Sequence, residues 1–550
     1  MGRHGQSACL IRIECELADK PRESRDREPA MTFRAEHWSL SKPVVRSRHG
    51  LVAAQEGEAA EQGAAVLKAG GNAVDAAVVT ALSLATTEPW MSGIGGGGVM
   101  LIHLAEERRT VGIDYSMTAP RNLDPARYAL SGEEGPEDAL FVWPRVEGDR
   151  NMIGPEAVAV PGAVAGFAMA LERYGTLAWA DALAPAIETA ERGLAASWYA
   201  TLQIAFGMSA GLGRYPEARE TYLPGGAPLV SQTPHAPLRR PLGRLPETLR
   251  RLAEAGPRDF YEGETARRIA ADMAASGGPL TLDDLGAYEA FEVEPLAVPH
   301  HDGAVWLMPG LNAGPTFARA LGNLDARLDR AAGLDAAAYI AWAEALSEAY
   351  EYRLAHMGHD GDASGRGCTT HLSVVDAAGN MVSLTNTLLE RFGSRFMLPG
   401  TGILMNNGIY WFDPRPGRPN SLKGGVKPLN NMAPVVVTDP DGTGRFALGA
   451  SGGRRILPAV FQLTSMLLDF GLDLEDAVHR PRIDASGEGR VTMDRELPPE
   501  IRAALAGRFP TEVTESAVGQ KLFANPQIVM RGNAAAAHVQ SPTAAVALGG

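Results

Sequence analysis

Thr369 stands immediately behind a run rich in glycine and aspartate, Gly358 to Gly367, and immediately ahead of a stretch that alternates like a strand, Thr370 to Asp376. A threonine in that setting can become an N-terminal nucleophile. If the exposed loop is cut before it, the freed α-amine serves as general base for the residue's own hydroxyl, and no separate histidine is needed. By residue type alone the pattern carries little weight, because threonine-rich strands after loops are common and mostly structural.

Other chemistries are present as short motifs. Gly449-Ala450-Ser451-Gly452-Gly453 satisfies the G-x-S-x-G pattern of a serine hydrolase, with His479 and His538 further along, although neither histidine stands in a recognisable motif. Gly93-Ile94-Gly95-Gly96-Gly97-Gly98 satisfies the G-x-G-x-x-G dinucleotide pattern, but a helical segment precedes it and the strand-like Val99 to Leu104 follows. That order is the reverse of what a nucleotide site requires, so a close-packed backbone turn is the expectation. Asp360-Gly361-Asp362 opens like a calcium loop, yet His371 falls where the bidentate glutamate belongs. His356 and His359 lack a third ligand at suitable spacing. No metal and no cofactor are expected.

The residues around Thr369 also carry a resemblance. Thr369-Thr370-His371, Ser373-Val374-Val375-Asp376, Gly379-Asn380, Thr385, Thr387 and Phe392-Gly393-Ser394 resemble the signature of the γ-glutamyltransferase family. Gly70-Gly71-Asn72-Ala73-Val74-Asp75-Ala76-Ala77, Ser92 to Gly98, Pro161-Gly162, Asn406-Asn407, Ser451-Gly452-Gly453 and His479-Arg480-Pro481-Arg482 extend it from about residue 48 to the C-terminus. The resemblance implies an α+β Ntn-hydrolase fold, an αββα four-layer sandwich, in which a single domain is assembled from two autocleaved subunits. These would be a large subunit 48–368 and a small subunit 369–550, behind an N-terminal extension 1–47 that is disordered or a mis-assigned start, with Met31 as the alternative first residue. It further implies cleavage between Cys368 and Thr369, Thr369 as nucleophile, and Thr387 as the threonine that hydrogen-bonds it. Gly452 and Gly453 match the oxyanion-hole glycines, whose N–H groups stabilise the tetrahedral intermediate. Cys368 would be the nucleophile only if the cut fell one residue earlier, and the motif register favours Thr369. Ser451 then becomes a neighbour of the hole.

The residues that would read the substrate's head group depart from the family. Ser116 stands where the family places the arginine of its carboxylate clamp, and Asn430 and Asn431 stand where it has paired serines. Trp411 replaces the amine-binding aspartate, and Leu389 replaces a polar residue near the nucleophile. Charge-assisted contacts contribute roughly 1.5–3 kcal/mol each, so losing two of them makes glutathione a poor substrate by expectation. The segment Asp413 to Lys427 is shorter than the lid-bearing loop of glutathione-acting members, which implies a pocket more open to water and hydrolysis ahead of transfer. The expected activity is cleavage of γ-glutamyl or similar N-acyl amides through a threonyl acyl-enzyme. A cephalosporin-type glutaryl acylase, an oxamate-type amidohydrolase, a Ser451 hydrolase and an unprocessed scaffold are the alternatives, with Trp411 and the two asparagines suiting an uncharged head.

Positioning these residues takes a strand-rich centre covered by helices. Apolar spacing predicts a helix pair from Glu56 to Ala85 with a break at Gly70-Gly71-Asn72, mostly helical chain from Pro161 to about Ala290, and helices over Ala336 to Ala355 and Leu457 to Phe470. Thr370 to Asp376 and Met381 to Thr387 flank Ala378-Gly379-Asn380 as a hairpin, with further strands at Gly402 to Met405, Pro434 to Thr438 and Arg445 to Leu448. Composition bounds the rest. The 550 residues are 45% hydrophobic and 21% charged, enough for a large core, and the net charge of -14 argues against a nucleic-acid surface. Three scattered cysteines make no disulfide framework. The first forty residues lack an apolar h-region, and Ala73 to Thr87, the most apolar stretch, is too short to span a bilayer. The expectation is a cytoplasmic protein acting on a small-molecule amide, with no nucleic-acid or membrane partner and with a homo-oligomer of heterodimers left open.

Overall fold

A computed structural model describes residues 40–135, 141, 143–233, 237–361, 370–487, 489–514, 523–532 and 534–550. The N-terminal extension up to residue 39 and the junction Cys368–Thr369 lie outside the described residues. From Ser41 onward the central strands are β1 (Val45–Arg46), β2 (Gly50–Ala54), β3 (Gly97–Leu104), β4 (Arg109–Tyr115), β5 (Phe291–Val293), β6 (Leu296–His300), β7 (Gly303–Leu307), β8 (Thr370–Asp376), β9 (Met381–Thr387), β10 (Val435–Thr438), β11 (Gly444–Ser451), β12 (Asn525–Met530), β13 (Ala534–Ala537) and β14 (Ala545–Leu548). They form two seven-stranded antiparallel sheets, ordered β14-β2-β8-β9-β3-β4-β5 and β1-β13-β12-β11-β10-β7-β6.

The expected hairpin is present in register, Thr370 opposite Asn386 and Val375 opposite Met381. Its turn closes because the Asp376 carboxylate accepts the backbone N–H groups of Ala378 and Asn380, and Gly379 takes a φ of +91° that a side chain would oppose. Every residue of β8 and β9 is buried, polar ones included. The alternation of a strand explains this, since both faces of the sheet are covered. Leu372 and Val374 pack among the helices, whereas His371, Ser373 and Val375 face the second sheet. There Ser373 donates to the Gln527 carbonyl at 3.1 Å and Ser383 to the Leu448 carbonyl at 2.9 Å, so hydroxyls bridge the two sheets. The His371 ring lies 3.0 Å from the hydroxyls of both Thr385 and Ser373. A Cβ on Gly449 would come within 2.3 Å of that ring, so a glycine in β11 makes the space for it.

Helices Gly57–Lys68 and Ala73–Thr87 cover the outside of the first sheet, and Gly314–Asp325 and Ile456–Leu468 cover the outside of the second. The layers are therefore αββα, as expected. Asn72 caps Ala73–Thr87 in a reciprocal box with Asp75, which ends the preceding helix at the Gly70-Gly71 break, and every residue of that second helix is buried. No helix among the described residues is long and apolar enough to cross a membrane.

Gly402 to Met405 is not a strand. Leu404 makes only an isolated bridge to Met397. Phe392, Gly393, Arg395 and Gly402 all have positive φ, and that left-handed backbone keeps the apolar run from extending into a ladder. The order of the strands also interleaves the chain: β2 is flanked by β14 and β8, β9 by β8 and β3, and β10 by β11 and β7.

Candidate active site

Ladder register brings the chemistry-bearing positions to one end of the sandwich. In the first sheet Asn386 lies opposite both Thr370 and Gly98, Thr387 opposite Gly97, and Tyr115, just before Ser116, opposite Gly98. In the second sheet β11 finishes at Ser451 beside Asn525, and Val435 of β10 lies opposite Leu448. The chain entering β10 from Asn430 and Asn431 thus runs along the end where β11 leads into Gly452 and Gly453. The seating of His371 on Gly449 aligns the two ends face to face.

The glycine run is needed for close approach. A Cβ at Gly96 would meet the Thr387 carbonyl at 2.0 Å, and one at Gly98 the Thr385 carbonyl at 2.0 Å, so β3 presses on β9 at a distance only glycine permits. Asn406 ties this region together with all its capacity used: Nδ2 donates to the Gly95 and Ala159 carbonyls, and Oδ1 accepts from Ala159 and Gly408.

Thr387 Oγ1 accepts the Leu389 N–H at 2.7 Å, and Leu389 holds a φ of +83°. Gly452 and Gly453 have φ of +144° and +66°, and a Cβ on Gly452 would lie 2.8 Å from the Ala524 Cα. They open the single helical turn Gly453–Arg455, where N–H groups have no intrahelical acceptor, and among the described residues neither N–H makes a backbone hydrogen bond. Two donors of this kind are what an oxyanion requires. Ser451 is fully buried, and both ring nitrogens of His479 are engaged elsewhere, on the Glu475 carbonyl and the Lys42 N–H, so that histidine makes no serine-hydrolase pair.

The remaining sequence candidates also lie here. Ser116 gives both its hydroxyl and its N–H to Asp114 Oδ1, at 2.6 and 2.9 Å, and Lys427 donates to the same oxygen at 2.9 Å. Burial pushes the Asp114 carboxyl up, but the Lys427 charge and these hydrogen bonds outweigh it and hold it below the usual range. A cation therefore reaches the neighbourhood of Ser116 although the residue itself is neutral. Trp411 is fully buried in an apolar cluster with Leu389 and Met432. Asn430 and Asn431 are buried as well.

Motif reading missed two residues that touch the candidate site. Glu88, 1% exposed at the end of helix Ala73–Thr87, accepts the hydroxyl of Thr370, the second residue after the expected cut, at 2.9 Å. Its signal in sequence is only an acid before Pro89 and the glycine run. Arg353, on helix Ala336–His356, donates to both Asn430 and Asn431, and an arginine in the middle of a buried helical face was its one sign. Burial drives the His371 imidazole down to about 3, so it is a neutral spacer between hydroxyls and no general base at neutral pH.

A family model described as Gamma-glutamyltranspeptidase matches residues 59–366 and 354–546. The chain belongs to the gamma-glutamyltranspeptidase family. As a member it is a hydrolytic Ntn amidohydrolase, and the four-layer order above is the fold of that class. Its relatives within the gamma-glutamyltranspeptidase family differ in name. It is 33% identical to the acylase ACY 1 proenzyme of Pseudomonas sp. (strain V22), over 90% of this chain and 91% of that one. It is 29% identical to the glutathione hydrolase proenzyme of Escherichia coli (strain K12), over 87% of this chain and 86% of that one. Its structure superposes on the crystal structure of cephalosporin acylase from Bacillus halodurans with a TM-score of 0.82 at 25% identity, covering 94% of this chain and 99% of that one.

Proposed function

We propose that the protein cuts itself between Cys368 and Thr369 and that Thr369 then hydrolyses N-acyl amides of the acylase type. The observation that carries this reading is that Thr387 and Gly452-Gly453 lie at the end of the sandwich where β8 begins, with Thr370 opposite Asn386, the neighbour of Thr387, and β11 leading into Gly452 on the facing sheet. Thr369 Oγ attacks the amide carbonyl while its α-amine takes the hydroxyl proton. The N–H groups of Gly452 and Gly453 hold the resulting oxyanion, and Thr387 positions the nucleophile. The amine returns the proton to the leaving nitrogen, an acyl ester remains, and water resolves it.

The acylase assignment is supported by the loss of the family's charged head-group residues at Ser116 and Trp411 and by the likeness to named acylases. γ-Glutamyl amides are the competing substrates, on the likeness to glutathione hydrolases. Intact-mass spectrometry of wild type and Thr369→Ala tests the cut: two fragments meeting at Cys368/Thr369 in wild type alone are expected. One uncut, inactive chain in both refutes the reading. Glutaryl and γ-glutamyl anilides then rank the substrates, with the glutaryl compound expected to be hydrolysed faster.

A further inference from the structure

The first residue of β8 lies between two buried acceptors. Thr370 gives its hydroxyl to Glu88 Oε2 at 2.9 Å, and Glu88 is 1% exposed. Asn386 stands opposite Thr370 in the ladder, so the two side chains share the face of the sheet that Leu372 and Leu384 turn to the helices. Asn386 Nδ2 donates to the Gly93 carbonyl at 3.4 Å, and its Oδ1, although buried, has no hydrogen-bond partner among the described residues. A carboxylate and an amide oxygen thus flank one residue, and that residue is bonded to Thr369.

Few other charges face this place among the described residues. Tyr199, on helix Trp198–Ser209, is pushed up by burial and then by Glu88, while Arg391, in the turn after β9, pulls it back, so the three groups share one field. Glu56, which follows β2, reaches Thr87, the residue before Glu88, and burial raises its carboxyl toward the neutral form. Glu390 is paired with Arg395 at 3.0 Å. His371 is a neutral ring held by hydroxyls between the two sheets.

A cut ahead of Thr369 creates an amine one peptide unit from Thr370. Covalent geometry alone keeps its nitrogen within about 7 Å of the Thr370 hydroxyl, and so within about 10 Å of Glu88. At an effective dielectric near 20, a carboxylate about 6–10 Å away raises the pH at which an amine loses its proton by about 1–2, before the opposing charge of Arg391 is counted. The amine takes the Thr369 hydroxyl proton only when it is itself unprotonated, so such a charge reaches the chemistry without touching substrate. We propose that Glu88 is a positioning residue for the nucleophile's amine: it fixes the start of β8 through Thr370, and its charge keeps the freed amine protonated to higher pH, which sets the acid limit of activity. The inference rests on the Thr369 reading above. Asn386 Oδ1 supplies a second acceptor on the same face for the donors an ammonium carries.

The test is the pH profile of kcat/KM on glutaryl p-nitroanilide, whose acid limb reports the base of the free enzyme. Glu88→Gln keeps the acceptor for Thr370 and removes the charge, and its limb is expected about 0.5–1.5 pH units below that of wild type. Glu88→Asp keeps the charge and should hold the limb within about 0.3 of wild type. Thr370→Val keeps the charge and loses the hydrogen bond, so it should leave the limb in place and lower the plateau about 3–10-fold. Competitive acetylation of the small subunit's N-terminus, read by mass spectrometry, follows the same amine without turnover and should show the same displacement in Glu88→Gln. A limb and an acetylation midpoint unmoved in Glu88→Gln, or displaced equally in Glu88→Asp, overturn the proposal. If Glu88→Gln does not mature, Arg391→Gln carries the test: with the opposing cation gone the limb should rise by about 0.3–1 pH unit, and an unmoved or lowered limb overturns the proposal. A cut, active chain whose limb ignores these charges refutes the Glu88 role alone, whereas a chain that never exposes a Thr369 amine refutes the Thr369 reading and the proposal with it.

Discussion

Replacing Thr387 by valine keeps the shape of the side chain and deletes one hydroxyl, and the structure gives that deletion a size. Thr387 Oγ1 holds the Leu389 N–H at 2.7 Å with both residues fully buried, so the variant orphans a buried donor. That costs about 1–3 kcal/mol. Leu389 also sits at a φ of +83°, where a leucine is unfavourable by about 1–2 kcal/mol, and the hydroxyl is a clasp that keeps it there. Released, the turn after β9 relaxes and Thr387 moves out of line with the start of β8. If the loss is felt in the barrier to self-cleavage, about 1.4 kcal/mol per tenfold gives maturation slowed roughly 10–100-fold. A time course of intact mass on freshly purified precursor measures it, and Thr387→Ser should stay within about threefold of wild type because it retains the acceptor. Adding Leu389→Gly to Thr387→Val supplies a residue at ease with positive φ and should recover about tenfold. A double variant no faster than Thr387→Val alone would refute the turn argument and place the hydroxyl's effect on the reacting atoms directly.

Three further outcomes follow from the site. Burial drives His371 to about 3, below its unfolded value near 6.5, so the unfolded chain takes up the proton first as pH falls. The stability it contributes is complete above about pH 6.5 and is lost down to about pH 3, at up to ~1.4 kcal/mol per pH unit. Urea midpoints from pH 7 to 4 for Thr369→Ala and Thr369→Ala/His371→Gln should show the shallower acid slope in the second, and equal slopes would contradict a neutral buried ring. Glu88→Gln keeps an acceptor for Thr370 and should fold as wild type, whereas Glu88→Leu strands that buried hydroxyl and should lose about 1–3 kcal/mol, read as a lower melting temperature. Equal melting temperatures for the two would show that the contact does no structural service. Gly452→Ala must place a Cβ 2.8 Å from the Ala524 Cα at a φ of +144°, so it should cut turnover by about 100-fold or more with the circular dichroism unchanged. Wild-type turnover in that variant would refute the oxyanion role proposed for Gly452.

Local features of the site were legible in the residues. The hairpin could be read because Asp376, Gly379 and Asn380 specify its turn and the flanking runs alternate, and helix Ala73–Thr87 because its cap, Asn72 with Asp75, is written at its start. The glycine run was legible as a tight turn, since helix precedes it and strand follows, but the carbonyls of Thr385 and Thr387 that forbid side chains there belong to a strand far along the chain. Contacts made only in space left no pattern to read. Glu88 meets Thr370 across 282 positions, Lys427 meets Asp114 across 313, and Arg353 meets Asn431 across 78. Gly402 to Met405 misled because apolar residues alone predict a strand, whereas the positive φ values at Phe392, Gly393 and Arg395 that bend its neighbour away are set by tertiary contacts such as Phe392 N–H to the Trp90 carbonyl.

The interleaved strands bear on what the two pieces of a matured molecule could do afterwards. β2 is gripped between β14 and β8, and β10 is laddered to β7, so two chains parted at Cys368–Thr369 would stay woven through each other's sheets. Such a pair has no dilution at which it falls apart short of unfolding, and it does not trade halves with its neighbours. Two isotopically distinct preparations mixed after maturation would keep their parentage, each small subunit remaining for life with the large subunit that was translated ahead of it.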